Sequence, residues 1–144
     1  MASTPEIVAT LDGRSIPVTE VAAHHCHDLD FPVIRCFRRI ADRDASVSVE
    51  IGPVQLAVAA AVVYVTIYDG ALFSGSSMSI SQDYDTLSVV GWNDRASSFK
   101  GRNSETGRFY VDWFHSGSSW AFCCNQQTGN LGSYDNRFTS VYRT

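Results

Sequence analysis

The sequence predicts a mainly β protein built from two tandem copies of one unit, preceded by an N-terminal α/β extension. Three observations carry this. The phrase Trp92-Asn93-Asp94-Arg95-Ala96-Ser97-Ser98 returns 42 positions later as Tyr134-Asp135-Asn136-Arg137-Phe138-Thr139-Ser140. The same offset, without a gap, lays Tyr68 on Tyr110 and Ser74-Gly75-Ser76-Ser77 on Ser116-Gly117-Ser118-Ser119, the mark of a duplicated structural unit. From residue 62 onward, Val, Ile, Tyr, Phe and Trp gather in short runs separated by Gly, Ser, Asn and Asp, the texture of strands and turns.

Along the first 60 residues, Val8 to Leu11 and Ser15 to Val18 read as a hairpin turning at Asp12-Gly13. Thr19 stands as a cap ahead of a predicted helix, Glu20-Val21-Ala22-Ala23-His24-His25-Cys26-His27, which Phe31-Pro32 ends. Val33 to Phe37 reads as extended, Arg38 to Asp44 as a polar turn or short helix, and Val47 to Ile51 as a strand closed by Gly52-Pro53. No Gly/Ser linker follows. Val33, Ile34, Phe37, Val47, Val49 and Ile51 offer an apolar face too large to leave in water, so residues 1–60 are expected to dock on a β-domain over 61–144.

The apolar run Val54 to Ile67 contains Gln55 and Tyr64 and falls short of the roughly 20 residues of a membrane helix, so it reads as buried strand. Strands are predicted at 62–68, 77–81, 87–91, 107–114, 119–124 and 140–143, in motifs spanning 62–104 and 105–144. Neither motif can bury its apolar face alone, so the two are expected to pack as a sandwich of four-stranded units. Asp69-Gly70 and Ser116-Gly117 supply turn residues.

Composition narrows the function. The first 60 residues carry five Arg against eight acids and the remainder six Lys or Arg against seven, for a net charge of -4, so neither half has a basic footprint for nucleic acid. The N-terminus lacks a basic stretch followed by an apolar run, which gives an expectation of a cytoplasmic protein with no membrane partner. Four cysteines do not make a dense disulfide framework, and reduced thiols are expected.

Each copy of the repeated phrase offers a carboxylate or amide oxygen and then a hydroxyl, the hard oxygen ligands that calcium takes. The region 62–144 also resembles the βγ-crystallin family. Tyr68, Phe73 and Gly75 fit its hairpin signature, and Asn93-Asp94-Arg95-Ala96-Ser97-Ser98 and Asp135-Asn136-Arg137-Phe138-Thr139-Ser140 both fit its calcium signature. In the second hairpin, Tyr110 and Gly117 stand in register but His115 replaces the aromatic.

The resemblance implies two Greek-key motifs packed as a sandwich and two calcium sites built crosswise. One site would use the Asp69 carbonyl, the Arg137 carbonyl, the Thr139 hydroxyl and a side-chain oxygen of Asn93 or Asp94. The other would use the Val111 carbonyl, the Arg95 carbonyl, the Ser97 hydroxyl and a side-chain oxygen of Asp135 or Asn136. It further implies a non-enzymatic structural or stress-related protein. Two other readings are a structural subunit of a larger phage-like or injection-particle assembly, with the N-terminal segment contacting a protein partner, and a proteinaceous metallopeptidase inhibitor.

The run His24-His25-Cys26-His27-Asp28 is dense in zinc ligands. On the predicted helix, however, neighbours point about 100° apart and only His24 shares a face with His27 or Asp28, so a packed interface helix is the expectation. Cys26 and Cys36 could each add a thiolate or pair as a disulfide. Cys123 and Cys124 fall on a predicted strand, where neighbours face opposite sides, so one is expected in the core and one in solvent. No cysteine or histidine sits in a recognisable catalytic context, and no phosphate loop or metalloprotease helix is present in the sequence, so enzymatic activity is not expected.

Overall fold

In the computed structural model, residues 6–51 and 62–144 are described, with backbone alone for 49–51. The chain opens with β1 (Val8–Leu11) and β2 (Arg14–Ile16), antiparallel about Asp12-Gly13. A 3-10 turn over Val18–Ala23 leads into β3 (His25–Asp30), and a cis Phe31-Pro32 bond separates it from β4 (Val33–Phe37). Helix α1 (Ile40–Ile51) follows. The duplicated region contributes β5 (Val65–Gly70), β6 (Ser74–Ile80), β7 (Ser98–Gly101), β8 (Thr106–Tyr110), β9 (Ser119–Cys123), β10 (Gln127–Thr128) and β11 (Ser140–Arg143).

These strands form an eight-stranded sheet, ordered β10-β7-β5-β6-β3-β4-β1-β2, and a three-stranded sheet, ordered β11-β8-β9. The repeat is visible in the register. Tyr68 of β5 lies opposite Ser77 of β6 and Ser98 of β7, and Tyr110 of β8 lies opposite Ser119 of β9 and Ser140 of β11, each pair shifted by the same offset. Each motif also pairs with the other's sheet: Tyr84 of the first makes a single bridge to Val141 on β11, and the short strand β10 of the second pairs with β7. Two Greek-key motifs packed face to face result.

The core between the sheets is aromatic. Phe109 stacks on Phe138 at 4.2 Å, and Phe99 touches Phe109, Phe122 and Trp120 at 5.2, 5.4 and 6.2 Å between ring centroids. Such pairs add to the area term that already favours burying these rings.

Several expectations are corrected. Residues 20–27 are not a helix: the 3-10 turn stops at Ala23, and from His25 the side chains alternate, with Cys26 in the core and His27 turned toward α1. The short helix that is one reading of residues 38–44 is present but longer: α1 runs twelve residues, Ile40–Ile51, and takes up the segment 47–51 predicted as a strand; its fully buried Arg43 donates to the Cys26 carbonyl at 3.3 Å and to Ser77 Oγ at 3.0 Å. Gly52-Pro53 and the start of the apolar run, Val54 to Ala61, lie outside the described residues. Residues 87–91 are not a strand but a 3-10 turn capped by Thr86, whose hydroxyl accepts from Ser88 N, and ended by Gly91 at φ 77°. Leu87 and Val90 are buried while Ser88 and Val89 are exposed, a spacing of three that belongs to a helical turn.

The N-terminal strands extend the first sheet through β3, which runs parallel to β6 with His25, Cys26 and His27 opposite Ser77, Met78 and Ser79. Asp28 continues that junction. Its fully buried carboxylate accepts from Ser81 N (2.6 Å), Ser81 Oγ (2.7 Å), Gln82 N (3.3 Å) and the Tyr84 hydroxyl (2.6 Å). Burial pushes its pKa up, and the bonds from Tyr84, Ser81 and Gln82 pull it back. Asp28→Ala leaves those donors without an acceptor, and urea unfolding should show about 2–4 kcal/mol less stability; an unchanged midpoint would mean that water or a rearranged side chain takes the carboxylate's place.

Candidate functional site

The two copies of the repeated phrase become two loops that meet. Positive backbone angles recur at equivalent positions: Leu72 and Phe114 at 54° each, Phe73 and His115 at 62° and 63°, Gly75 and Gly117 at 78° and 79°, Asp94 and Asn136 at 55° and 57°. Outside glycine such angles are uncommon, so four matched pairs describe one local structure written twice. Two hydrogen bonds repeat as well. Ser98 Oγ donates to the Gly70 carbonyl and Ser140 Oγ to the Asp112 carbonyl, both at 2.7 Å.

Each hairpin folds over on itself and places an aromatic ring edge-on to a tyrosine. Phe73 meets Tyr68 at 5.7 Å and 70°, and His115 meets Tyr110 at 5.4 Å and 80°. Imidazole thus occupies the place of the missing aromatic, and it also stacks on Tyr142 at 3.3 Å. Glycine is required at the second fold, because a Cβ on Gly117 would lie 2.5 Å from Asp112 Oδ2 and 2.8 Å from Val111 Cγ2.

The folded hairpins hold the loops. Ser97 N donates to the Tyr68 carbonyl and Thr139 N to the Tyr110 carbonyl, both at 2.8 Å. The loops then bond crosswise. Asp94 N donates to the Phe138 carbonyl and Asn136 N to the Ala96 carbonyl, both at 3.0 Å. Thr139 Oγ1 donates to Asp94 Oδ1 and Ser97 Oγ to Asn136 Oδ1, both at 3.2 Å. Of the alternatives left by the sequence, Asp94 rather than Asn93 meets Thr139, and Asn136 rather than Asp135 meets Ser97.

The remaining predicted ligands sit around these pairs. Asp69, at the end of β5, accepts through Oδ2 from Arg95 Nη2 at 3.1 Å. Asn93 Oδ1 is a buried oxygen with no hydrogen-bond partner. Val111 continues from β8 and donates its N–H to the Ser118 carbonyl at 3.0 Å. Asp135 is exposed and meets only the Asn136 amide, at 3.5 Å, among the side-chain contacts found for it. Arg137, also exposed, turns its guanidinium to the Ser133 carbonyl at 3.3 Å.

Solved structures share the fold of the duplicated unit. A βγ-crystallin from Ciona intestinalis superposes with a TM-score of 0.51 at 25% identity, over 56% of this chain and 98% of that one. A βγ-crystallin domain from work on the evolution of the eye-lens fold gives 0.53 at 21% identity, over 56% and 84%, and the N-terminal domain of protein S gives 0.50 at 21% identity, over 56% and 94%. The duplicated unit has the βγ-crystallin fold. No protein-family model and no curated protein matches the sequence at a significant level.

A cation at the crossing of the βγ-crystallin loops would meet the Thr139 hydroxyl with the Asp94 carboxylate at one side and the Ser97 hydroxyl with the Asn136 amide oxygen at the other, rather than a carboxylate cage. Among the described residues no group of three or more His, Cys, Asp or Glu is placed to hold a metal. This donor set excludes a soft, thiolate-rich site and fits a hard cation. The unpartnered Asn93 Oδ1 is the kind of buried acceptor that such an ion satisfies.

The ligand-dense run 24–28 is split by β3. Cys26 is joined to Cys36 on β4 in a disulfide, the pairing the sequence leaves open beside the general expectation of reduced thiols, and Asp28 is taken up by Ser81 and Tyr84. His25 Nδ1 meets Ser77 Oγ at 2.8 Å and His27 Nε2 meets Ser46 Oγ at 2.9 Å. Neither contact is legible in the sequence, since Ser77 and Ser46 are 52 and 19 residues from their histidines. Neither is placed for nucleophilic catalysis. His27 Nδ1 accepts from Leu29 N at 3.3 Å, so Nε2 carries the proton and donates to Ser46, while Ser77 is fully buried beneath Arg43.

Desolvation by burial lowers the His27 pKa to about 4, with Arg43 and Arg35 adding to the effect and Asp30 opposing it. The unfolded chain therefore binds a proton that the folded chain refuses, and stability falls as pH drops from about 6.5 to about 4. Replacing His27 with Gln, which keeps a donor toward Ser46, should flatten that part of the pH–stability curve by up to about 3 kcal/mol. Parallel curves for the two proteins in chemical denaturation between pH 4 and 7 would contradict a buried neutral imidazole.

Proposed function

We propose that this chain is a non-enzymatic, calcium-binding βγ-crystallin-type protein with a structural or stress-related role, holding two ions where its repeated loops cross. The observation that supports this most is the crosswise pairing of Thr139 with Asp94 and Ser97 with Asn136. Calcium takes six to eight oxygens at about 2.3–2.6 Å, more than one six-residue loop can aim at a point, so ligands shared between two loops are what its size demands. Asp69 and Arg137 would supply carbonyl oxygens to the Asp94–Thr139 site, with Asn93 beside it. Val111 and Arg95 would do so for the Asn136–Ser97 site, with Asp135 beside it.

The sites differ in charge. One pairs its hydroxyl with a carboxylate, the other with an amide. Few carboxylates leave much of the ion's charge to water, which puts affinity at the weaker end, about 10⁻⁶ to 10⁻³ M, with the Asp94–Thr139 site the tighter. A role in stabilising the native fold suits that range better than fast sensing.

Calcium binding only the native state would stabilise it by about 2.7 kcal/mol at a hundredfold excess over Kd. Thermal melts with calcium against chelator should show a rise in Tm. Thr139→Ala should lose more of that rise than Ser97→Ala, and the double variant nearly all of it. Calorimetry with no heat of calcium binding at millimolar concentration, together with identical melts, would sink this reading and leave the fold untouched.

A further inference from the structure

The second cysteine pair departs from its expected geometry in a way that builds a surface site. On a straight strand, Cys123 and Cys124 would point to opposite faces. Instead β9 ends at Cys123, and Cys124 and Asn125 both take positive φ, 62° and 70°. That left-handed turn breaks the alternation and brings the two sulfurs together, joined in a disulfide, with both residues exposed.

The turn is held by contacts independent of the sulfurs. Cys124 N donates to the Glu105 carbonyl at 3.0 Å and Gln126 N to the Cys123 carbonyl at 2.9 Å. Asn125 Oδ1 accepts from Ser104 N at 2.8 Å, and its amide donates to Ser104 Oγ at 3.2 Å. The backbone therefore keeps the two side chains adjacent whether they are bonded or reduced. The other pair is placed very differently: Cys26 and Cys36 are 0% and 1% exposed, beyond the reach of a small thiolate.

We propose that Cys123 and Cys124 form a surface dithiol–disulfide site that exchanges with small thiols of the glutathione class. In the forward direction a thiolate attacks one sulfur of the pair, forms a mixed disulfide and releases the neighbouring cysteine as a thiolate. A second small thiolate then attacks the mixed disulfide, frees the other cysteine and leaves as the oxidised small-molecule disulfide, so two electrons and two protons pass to the protein. Oxidised small-molecule disulfide reverses both steps. The turn carries the chain from β9 in one sheet to β10 in the other, so the site lies on a connection between the two sheets.

The test uses the full chain under native conditions, treated with millimolar reduced glutathione, alkylated and mapped by peptide mass spectrometry. Cys123 and Cys124 should be alkylated at least about tenfold faster than Cys26 and Cys36. Oxidised glutathione added to the reduced protein before alkylation should abolish the labelling, and with it the Cys124→Ser variant should trap one glutathione on Cys123. Equal labelling of all four cysteines, labelling of Cys123 and Cys124 only on unfolding, or thiols there that oxidised glutathione does not close would each overturn the proposal.

Discussion

Backbone pairing across the two motifs organises the duplicated half. Tyr84 of the first motif bridges Val141 in the second sheet, and β10 of the second motif pairs with β7 in the first. Each sheet is therefore incomplete without the other motif. The aromatic core closes on both sides of that pairing, with Phe99 from one motif against Phe109 and Phe122 from the other. Because the motifs pair crosswise, the loops beside them must cross as well, which is why Asp94 meets Thr139 and Ser97 meets Asn136 rather than partners in their own loops. The candidate cation sites are a consequence of the topology.

The duplication was legible because its evidence is a constant offset, which survives any change of side chain that keeps the turn. Even the substitution of His115 for an aromatic was absorbed, since an imidazole can lie edge-on to Tyr110 as a phenyl ring does. Local propensity served less well elsewhere. Val47, Val49 and Ile51 alternate like a strand, yet the segment is helical and anchored by buried Arg43, whose partners Cys26 and Ser77 are remote in sequence. His24 to Asp28 carries too few apolar residues to declare a period, and only pairing with β4 and β6 makes it a strand. β10 is two polar residues long and has no sequence signal of its own; its place is set by β7.

Within the candidate site, the sequence named two loops that the fold brings together, and backbone conformation distinguishes the side chains it left as alternatives. Asp94 and Asn136 hold the left-handed angle in each loop, a conformation that aspartate and asparagine tolerate better than most residues. They are the side chains that reach the hydroxyl of the opposite loop. The duplication thus preserved a conformation while letting its chemistry drift from carboxylate to amide, which makes the two crossings unequal in charge.

The N-terminal residues solve a different problem for the same sheet. A two-motif unit would end its first sheet at β6, seven residues long, presenting a row of unpaired backbone groups of the kind that invites edge-to-edge association. β3 covers that row in parallel register, and β4, β1 and β2 carry the sheet onward. The new edge is β2, three residues with Arg14 and Ser15 exposed, and the opposite edge is β10, two residues of Gln and Thr. Among the described residues, both edges of the eight-stranded sheet are therefore short and polar, the kind that templates another strand poorly. The buried polar contacts at the junction, Asp28 to Ser81 and Tyr84, and Arg43 to Ser77, then fix the register in which the covering strand sits, since a shift by one residue would turn Asp28 to the opposite face and strip its donors of their acceptor.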